Sequence, residues 1–255
     1  MGTDAMSLSL SRSALLAATL TLTLAACDKT ADATAPAASD TSAAPAAAPS
    51  GQDWTKTISV TPKGGIAIGN PDAPVKLIEY ASFTCPHCRE FKEQGLPVLL
   101  RDYVGTGKVA YEFRSFLLNG IDIGPSMLVM CQPPAAAWKL TEALYSTQMQ
   151  WVQGYQTISE ADQAKLQSMP ADKAIVAIAD AGGLDDFAKL RGIPAAKFEQ
   201  CLTDQSNLNK LQANVQEAVS KYKLTGTPTF VLNDETVPDT FTWAALEPKL
   251  KAAVQ

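Results

Sequence analysis

Val75-Lys76-Leu77-Ile78-Glu79-Tyr80 is a nearly continuous apolar run, the pattern of a strand buried on both faces. Further along, Val109, Tyr111 and Phe113 alternate with Ala110, Glu112 and Arg114, which is strand periodicity. Between them Phe91, Leu96, Leu99, Leu100 and Tyr103 supply the apolar side of a helix reaching to about Tyr103, with a kink predicted at Pro97. Residues 75–114 therefore read as one β-α-β unit with a right-handed crossover. Upstream, 57–60 is a short strand candidate, followed by turn signals at Gly64-Gly65 and Asn70-Pro71-Asp72. From about 122 to 222 the pattern is helical throughout, punctuated at Pro133-Pro134, Met169-Pro170, Gly182-Gly183 and Gly192-Ile193-Pro194. Residues 229–232 are strand-like again, and Asn233-Asp234 turns the chain into 235–237. Trp243, Leu246, Leu250 and Val254 mark one face of a last helix that should pack on a sheet. The order is β, β-α-β, a helical block, then β-β-α.

The N-terminus follows other rules. Behind Arg12, residues 13–26 form a 14-residue apolar stretch with a small-residue exit, the pattern of an export signal. It is short of the roughly 20 apolar residues that a membrane span needs. Leu24-Ala25-Ala26-Cys27 resembles the bacterial lipobox, which implies that Cys27 is acylated and becomes the mature N-terminus. The other reading is a plain secretory signal beside which Cys27 is incidental. Asp28 resembles an inner-membrane retention signal, but that rule does not transfer between bacterial groups, so the choice of membrane stays open. Met6 is an alternative start. Residues 28–50 hold ten alanines and three prolines, too little to build a core. They read as a flexible spacer with a reach of about 25–30 Å. The division is thus a signal peptide over 1–26, a lipidated cysteine and linker over 27–51, and a globular part over 52–255.

Composition narrows the function. The 255 residues carry 21 Lys+Arg against 26 Asp+Glu, a formal −5. That balance excludes a strongly basic nucleic-acid binder, because nothing would neutralise a run of phosphates. Hydrophobic residues at 46% and charged residues at 18% describe ordinary globular composition rather than disorder. Five cysteines and one histidine decide more. One histidine rules out a His-rich catalytic metal centre. An odd cysteine count asks which one stands apart.

Cys85-Pro86-His87-Cys88 falls at the predicted strand-to-helix junction, and there the spacing has a mechanism. Free N–H groups and the helix dipole favour an anion at the first cysteine, so Cys85 is the candidate nucleophile with a depressed pKa. One helical turn brings Cys88 close enough to close a disulfide or resolve a mixed one. Pro86 suits the first turn, having no N–H to leave unpaired. His87 adds a donor or partial positive charge beside the thiolate. A stabilised thiolate stabilises the reduced pair, so the expected direction is donation of the disulfide to a client dithiol. Zinc is the competing reading, but it needs four ligands, and only Cys85, His87 and Cys88 cluster.

The segment Glu79-Tyr80-Ala81-Ser82-Phe83-Thr84-Cys85-Pro86-His87-Cys88 resembles the active site of the DsbA-type thiol-disulfide oxidoreductases. Ile68-Gly69-Asn70-Pro71-Asp72-Ala73-Pro74 and Leu96-Pro97 are similar to the same family, and Gly226-Thr227-Pro228-Thr229-Phe230 resembles its cis-proline loop. The resemblance spans roughly 58–253 and implies an α/β thioredoxin fold with an inserted all-helical subdomain over about 122–222. It implies that Pro228 is cis and that Thr227 and Pro228 face the disulfide, with the Thr227 backbone pairing with an extended client. It implies that Glu79 is a buried carboxylate moving protons to and from the resolving thiol; the alternative is a surface carboxylate at a strand end. Thr227 departs from the valine of the best-known soluble oxidases and looks more like the isomerases and several tethered relatives, while His87 favours oxidation.

The implied partners are reduced exported proteins, a quinone-linked membrane reoxidase and, through the lipid anchor, a bacterial membrane facing the periplasm. No cofactor, metal or nucleic acid is expected. Two further readings stay open: a tethered reductase or isomerase for a dedicated client, and a non-catalytic scaffold. Cys131 and Cys201 are left over and, in an exported protein, are expected to pair; the alternative is two buried thiols. Tryptophans 54, 138, 151 and 243 belong to no motif, and Met127 and Met130 fit either the core or a client groove.

Overall fold

The computed structural model describes residues 52–255; the signal segment, Cys27 and the linker lie outside the described residues. Within them one mixed sheet contains β1 (Ile58–Val60), β2 (Ile66–Ile68), β3 (Val75–Ala81), β4 (Val109–Ser115), β5 (Thr229–Leu232) and β6 (Glu235–Thr236). The strand order is β1-β2-β4-β3-β5-β6. β3 and β4 run parallel, from Val75 opposite Val109 to Ala81 opposite Ser115. β2 pairs with β4, and β5 with β3, antiparallel. Strand β2 is absent from the sequence reading because three residues between turn glycines are too few to show a period.

The β3–β4 crossover holds α1 (Pro86–Gln94), α2 (Leu96–Leu99) and a π-helical turn over Leu100–Val104. The sequence predicts one helix kinked at Pro97, whereas the chain breaks two residues earlier, at Gly95. Pro97 has no N–H to give the Glu93 carbonyl, which ends α1 there, and packing requires the glycine itself: a Cβ at Gly95 would lie 2.8 Å from the Phe91 ring and from Trp243 Cβ. Pro97 then sits in the first turn of α2, where its missing N–H leaves no helix bond unmade.

Alternation along β3 sorts its side chains. Val75, Leu77 and Ala81 enter the main core with Phe91, Phe113 and Phe230, and Glu79 shares their face by its period. Tyr80 enters a smaller cluster with Phe116, Tyr222, Leu224 and Val231 on the opposite face. The terminal helix α11 (Trp243–Ala253) closes the main core with Leu246 and Leu250, and Trp243 packs against Phe91 and Tyr103.

Between β4 and β5 lies the helical insertion. A 3-10 turn at Gly120–Asp122 leads into α3 (Ile123–Met130), α4 (Pro134–Ser146), α5 (Gln148–Gln156) and α6 (Glu160–Gln167). These are followed by α7 (Ala171–Ala181), α8 (Leu184–Lys189), α9 (Ala195–Leu202) and α10 (Gln205–Ser220). The architecture is an α/β thioredoxin fold with a helical insertion. Met127 is fully buried, so it belongs to the core rather than to a surface groove. Trp138 and Trp151 are buried as well. No helix among the described residues is long and apolar enough to cross a membrane.

Cys131, at the C-terminal end of α3, is joined to Cys201 in α9 by a disulfide with a Cα–Cα distance of 5.5 Å. It closes a loop of sequence separation 70 within the insertion. Removing that cross-link frees the unfolded chain and should cost about 3–5 kcal/mol. The Cys131→Ser/Cys201→Ser double variant is therefore expected to unfold at markedly lower urea than the parent; equal midpoints would show that the bond is mechanically idle.

Candidate active site

Strand β3 ends at Ala81, and four residues later Cys85 caps α1. Its extended backbone (φ −78°, ψ 122°) turns the side chain back over the helix, where the Cys88 N–H donates to Cys85 Sγ at 3.4 Å. Pro86 occupies the first turn. The Cys85 thiol also donates to the Thr227 carbonyl at 3.2 Å. Cys85 and Cys88 are free and buried in this structure.

Their environments split the two thiols apart. The Cys88 thiol, donating to the Cys85 sulfur, is the largest cause that pulls the Cys85 pKa down, to about 6. Burial opposes this, while Thr227 and the backbone N–H groups of Cys88 and His87 reinforce it. Cys88 goes the other way: burial pushes it well above its ordinary value, and the Cys85 and Glu79 charges push it further. One thiol is thus poised as a nucleophile and the other as a proton holder.

His87 lies at the surface of the same helix turn. Its side chain is 64% exposed, with Nδ1 3.6 Å from Glu90 Oε2. What it supplies to Cys85 is its backbone N–H. The Thr227-Pro228 bond is cis, and the loop lies against Cys85 because Thr229 is registered opposite Tyr80, at the β3 end that feeds the active-site loop.

Glu79 is fully buried. Lys92, in the last turn of α1, meets its Oε2 at 2.6 Å, and the Tyr111 hydroxyl bonds to the same oxygen and to Lys92. The ammonium is caged by aromatic rings, 4.7 Å from the Phe113 centroid and 5.1 Å from that of Tyr111. Such a pair is costly to bury, and removing one partner typically costs about 3–5 kcal/mol. The other carboxylate oxygen, Oε1, is buried and has no hydrogen-bond partner. The Glu79 charge is felt at the buried Cys88 thiol, whose anion it disfavours.

Sequence reasoning missed Lys92, Tyr111, Asp122, Tyr145 and Gln148. A lysine seven residues after Cys85 reads as a solvated helix position, and nothing local reveals the aromatic cage. Asp122 is fully buried and accepts from Ser82 Oγ at 2.8 Å and from the Thr84 N–H at 3.0 Å. Its visible signal is the Asn119–Asp122 capping box. Tyr145 and Gln148 bond to carbonyls of the 82–85 loop and had no signal at all. Among the described residues no three His, Cys, Asp or Glu side chains gather to hold a metal ion.

Comparison with known proteins points the same way. The family model described as thioredoxin matches residues 61–252. A Rickettsia bellii protein named as a protein-disulfide oxidoreductase is 28% identical over 181 residues, which cover 70% of this chain and 61% of that protein. The match thus spans about six-tenths of the relative's length. A solved structure of a protein-disulfide isomerase from Novosphingobium aromaticivorans is 31% identical, with a TM-score of 0.72, covering 75% of this chain and 98% of that one. Wolbachia pipientis alpha-DsbA1, 22% identical with a TM-score of 0.57 over 74% of this chain and 89% of that one, shares the fold.

The split thiols carry a pH dependence. Cys85 titrates near 6 when folded and near 9.0 when unconstrained, so unfolding the reduced protein takes up a proton between those values. The reduced protein should therefore gain stability as pH rises from about 6 to about 9, with none of that gain present below about 6. The disulfide form has no thiol to titrate and should not follow. Urea midpoints of both forms across this range check it; parallel curves would contradict the lowered Cys85 value.

Proposed function

Because the chain belongs to the thioredoxin family and is similar to proteins named as protein-disulfide oxidoreductase and isomerase, we propose that it is an exported DsbA-type thiol-disulfide oxidoreductase that donates its Cys85–Cys88 disulfide to translocated proteins. The observation that carries this reading is the split pair: Cys85 lowered to about 6 and Cys88 raised well above its ordinary value. A pair whose attacking thiolate is stabilised favours its reduced form, and such a pair is a good oxidant in its disulfide form.

The chemistry balances without a cofactor. A client thiolate attacks Cys85 Sγ, the Cys85–Cys88 bond breaks, and Cys88 leaves with the electron pair and takes a proton. That proton is the one the client thiol gave up on becoming a thiolate; the free Oε1 of Glu79 accepts it and passes it on to Cys88. A second client thiolate then attacks the client sulfur of the mixed disulfide and expels Cys85 as a stabilised thiolate. The client loses two electrons and the Cys85–Cys88 pair gains them. The backbone of Thr227, next to cis-Pro228, holds the client as an added strand. Reoxidation falls to a quinone-linked membrane partner.

A second reading is a tethered isomerase or reductase. Thr227 before the cis-proline favours it, and so does the Novosphingobium neighbour, itself named a protein-disulfide isomerase. The reduction potential of the Cys85–Cys88 pair separates the two. An oxidase is expected above about −200 mV, whereas a value near thioredoxin's, about −270 mV, would overturn the donor reading. Cys85→Ser should abolish exchange with a reduced client; full function without that thiol would leave only a scaffold.

Cys27 is proposed as the lipid anchor that holds the domain at a membrane facing the periplasm. Cells fed radioactive palmitate should label the chain, and Cys27→Ala should remove the label. Label that persists in the variant would refute the anchor.

A further inference from the structure

The loop that delivers Cys85 to the helix, residues 82–85, draws most of its partners from the helical insertion rather than from the sheet it leaves. The Tyr145 hydroxyl, at the end of α4, donates to the Ser82 carbonyl at 3.0 Å. Gln148, the first residue of α5, donates from Nε2 to the Phe83 carbonyl at 2.8 Å and to the Cys85 carbonyl at 2.9 Å. Both side chains are buried. Asp122 holds the opposite polarity of the same loop, accepting from the Thr84 N–H and the Ser82 hydroxyl.

The Cys85 carbonyl is a sensitive place for such a bond. It also accepts the first backbone bond of α1, from the Arg89 N–H at 3.2 Å. Two donors on one oxygen fix the rotation of the Cys85–Pro86 peptide plane. That rotation decides whether Cys85 Sγ falls on the free N–H groups at the helix start. A shift of a few tenths of an ångström weakens a charge-assisted bond to sulfur before it disturbs any packing.

We propose that Gln148 is a positioning residue for Cys85, with Tyr145 as a second point of support, so that the helical insertion sets the reactivity of the nucleophile. This rests on the reading of Cys85 as the attacking thiolate.

The test titrates the thiolate by its ultraviolet absorbance in the reduced full chain, with a melting curve for each variant. Gln148→Met keeps the length of the side chain and has no N–H. It is expected to raise the Cys85 midpoint by about one pH unit, roughly tenfold less thiolate below the midpoint. Tyr145→Phe removes one bond, keeps the ring, and should move the midpoint in the same direction by less. A purely structural role would lower the melting temperature and leave the midpoint where it was. A folded Gln148→Met variant with an unmoved midpoint therefore overturns the proposal. If Gln148→Met does not fold, Tyr145→Phe decides alone, and an unmoved midpoint there overturns it as well. A parent protein whose Cys85 titrates like an ordinary thiol would overturn both this proposal and the oxidoreductase reading beneath it. A low parent midpoint with unmoved variants removes the role of the insertion only.

Discussion

One sulfur atom has to sit between a helix N-terminus and the carbonyl of a residue 142 positions further along the chain. The rest of the structure serves that contact between Cys85 and Thr227. It requires the end of β3 and the start of β5 to lie side by side, which the antiparallel pairing of Tyr80 with Thr229 achieves. It requires α1 to begin directly after the loop leaving β3, and the parallel β3–β4 crossover provides that start. The helical insertion can then be long, because both of its ends return to the same sheet.

The two cysteines differ because of depth. Cys85 caps the helix, where backbone N–H groups have no other partner; Cys88 lies one turn inside, in the main core. Desolvation penalises the anion at Cys88, and the Glu79 charge adds to the penalty. A carboxylate and an ammonium buried under a catalytic helix are a poor choice for stability alone, since apolar side chains of similar volume would pack there without desolvating a charge. The aromatic rings around Lys92 reduce the penalty by offering π-faces to the ammonium.

Much of this was legible in the chain. The β3 run, the alternation in β4 and the strand at 229–232 mark their elements because burial on one or two faces leaves a periodic trace. Cys85, Pro86 and Cys88 were readable because the chemistry of a helix start depends on neighbours within one turn. The cis-proline loop was readable only by family resemblance, as nothing in Gly226-Thr227-Pro228 states which residue it faces. Strand β2 was not legible, being too short to show a period, and neither was the need for glycine at position 95, which depends on Trp243, far along the chain.

The sequence alone determined the local units: a cysteine at a helix N-terminus, a second one turn on, the strands before and after that helix, and a helical block between β4 and β5. These follow from contacts within a few residues, which the order of side chains encodes directly. Only the tertiary structure decided that Lys92 turns inward to Glu79 and that Gln148 and Tyr145 reach back to the loop before Cys85. Each of these joins elements that are distant in the chain, and what selects such a partner is burial in the assembled core, which no local pattern records.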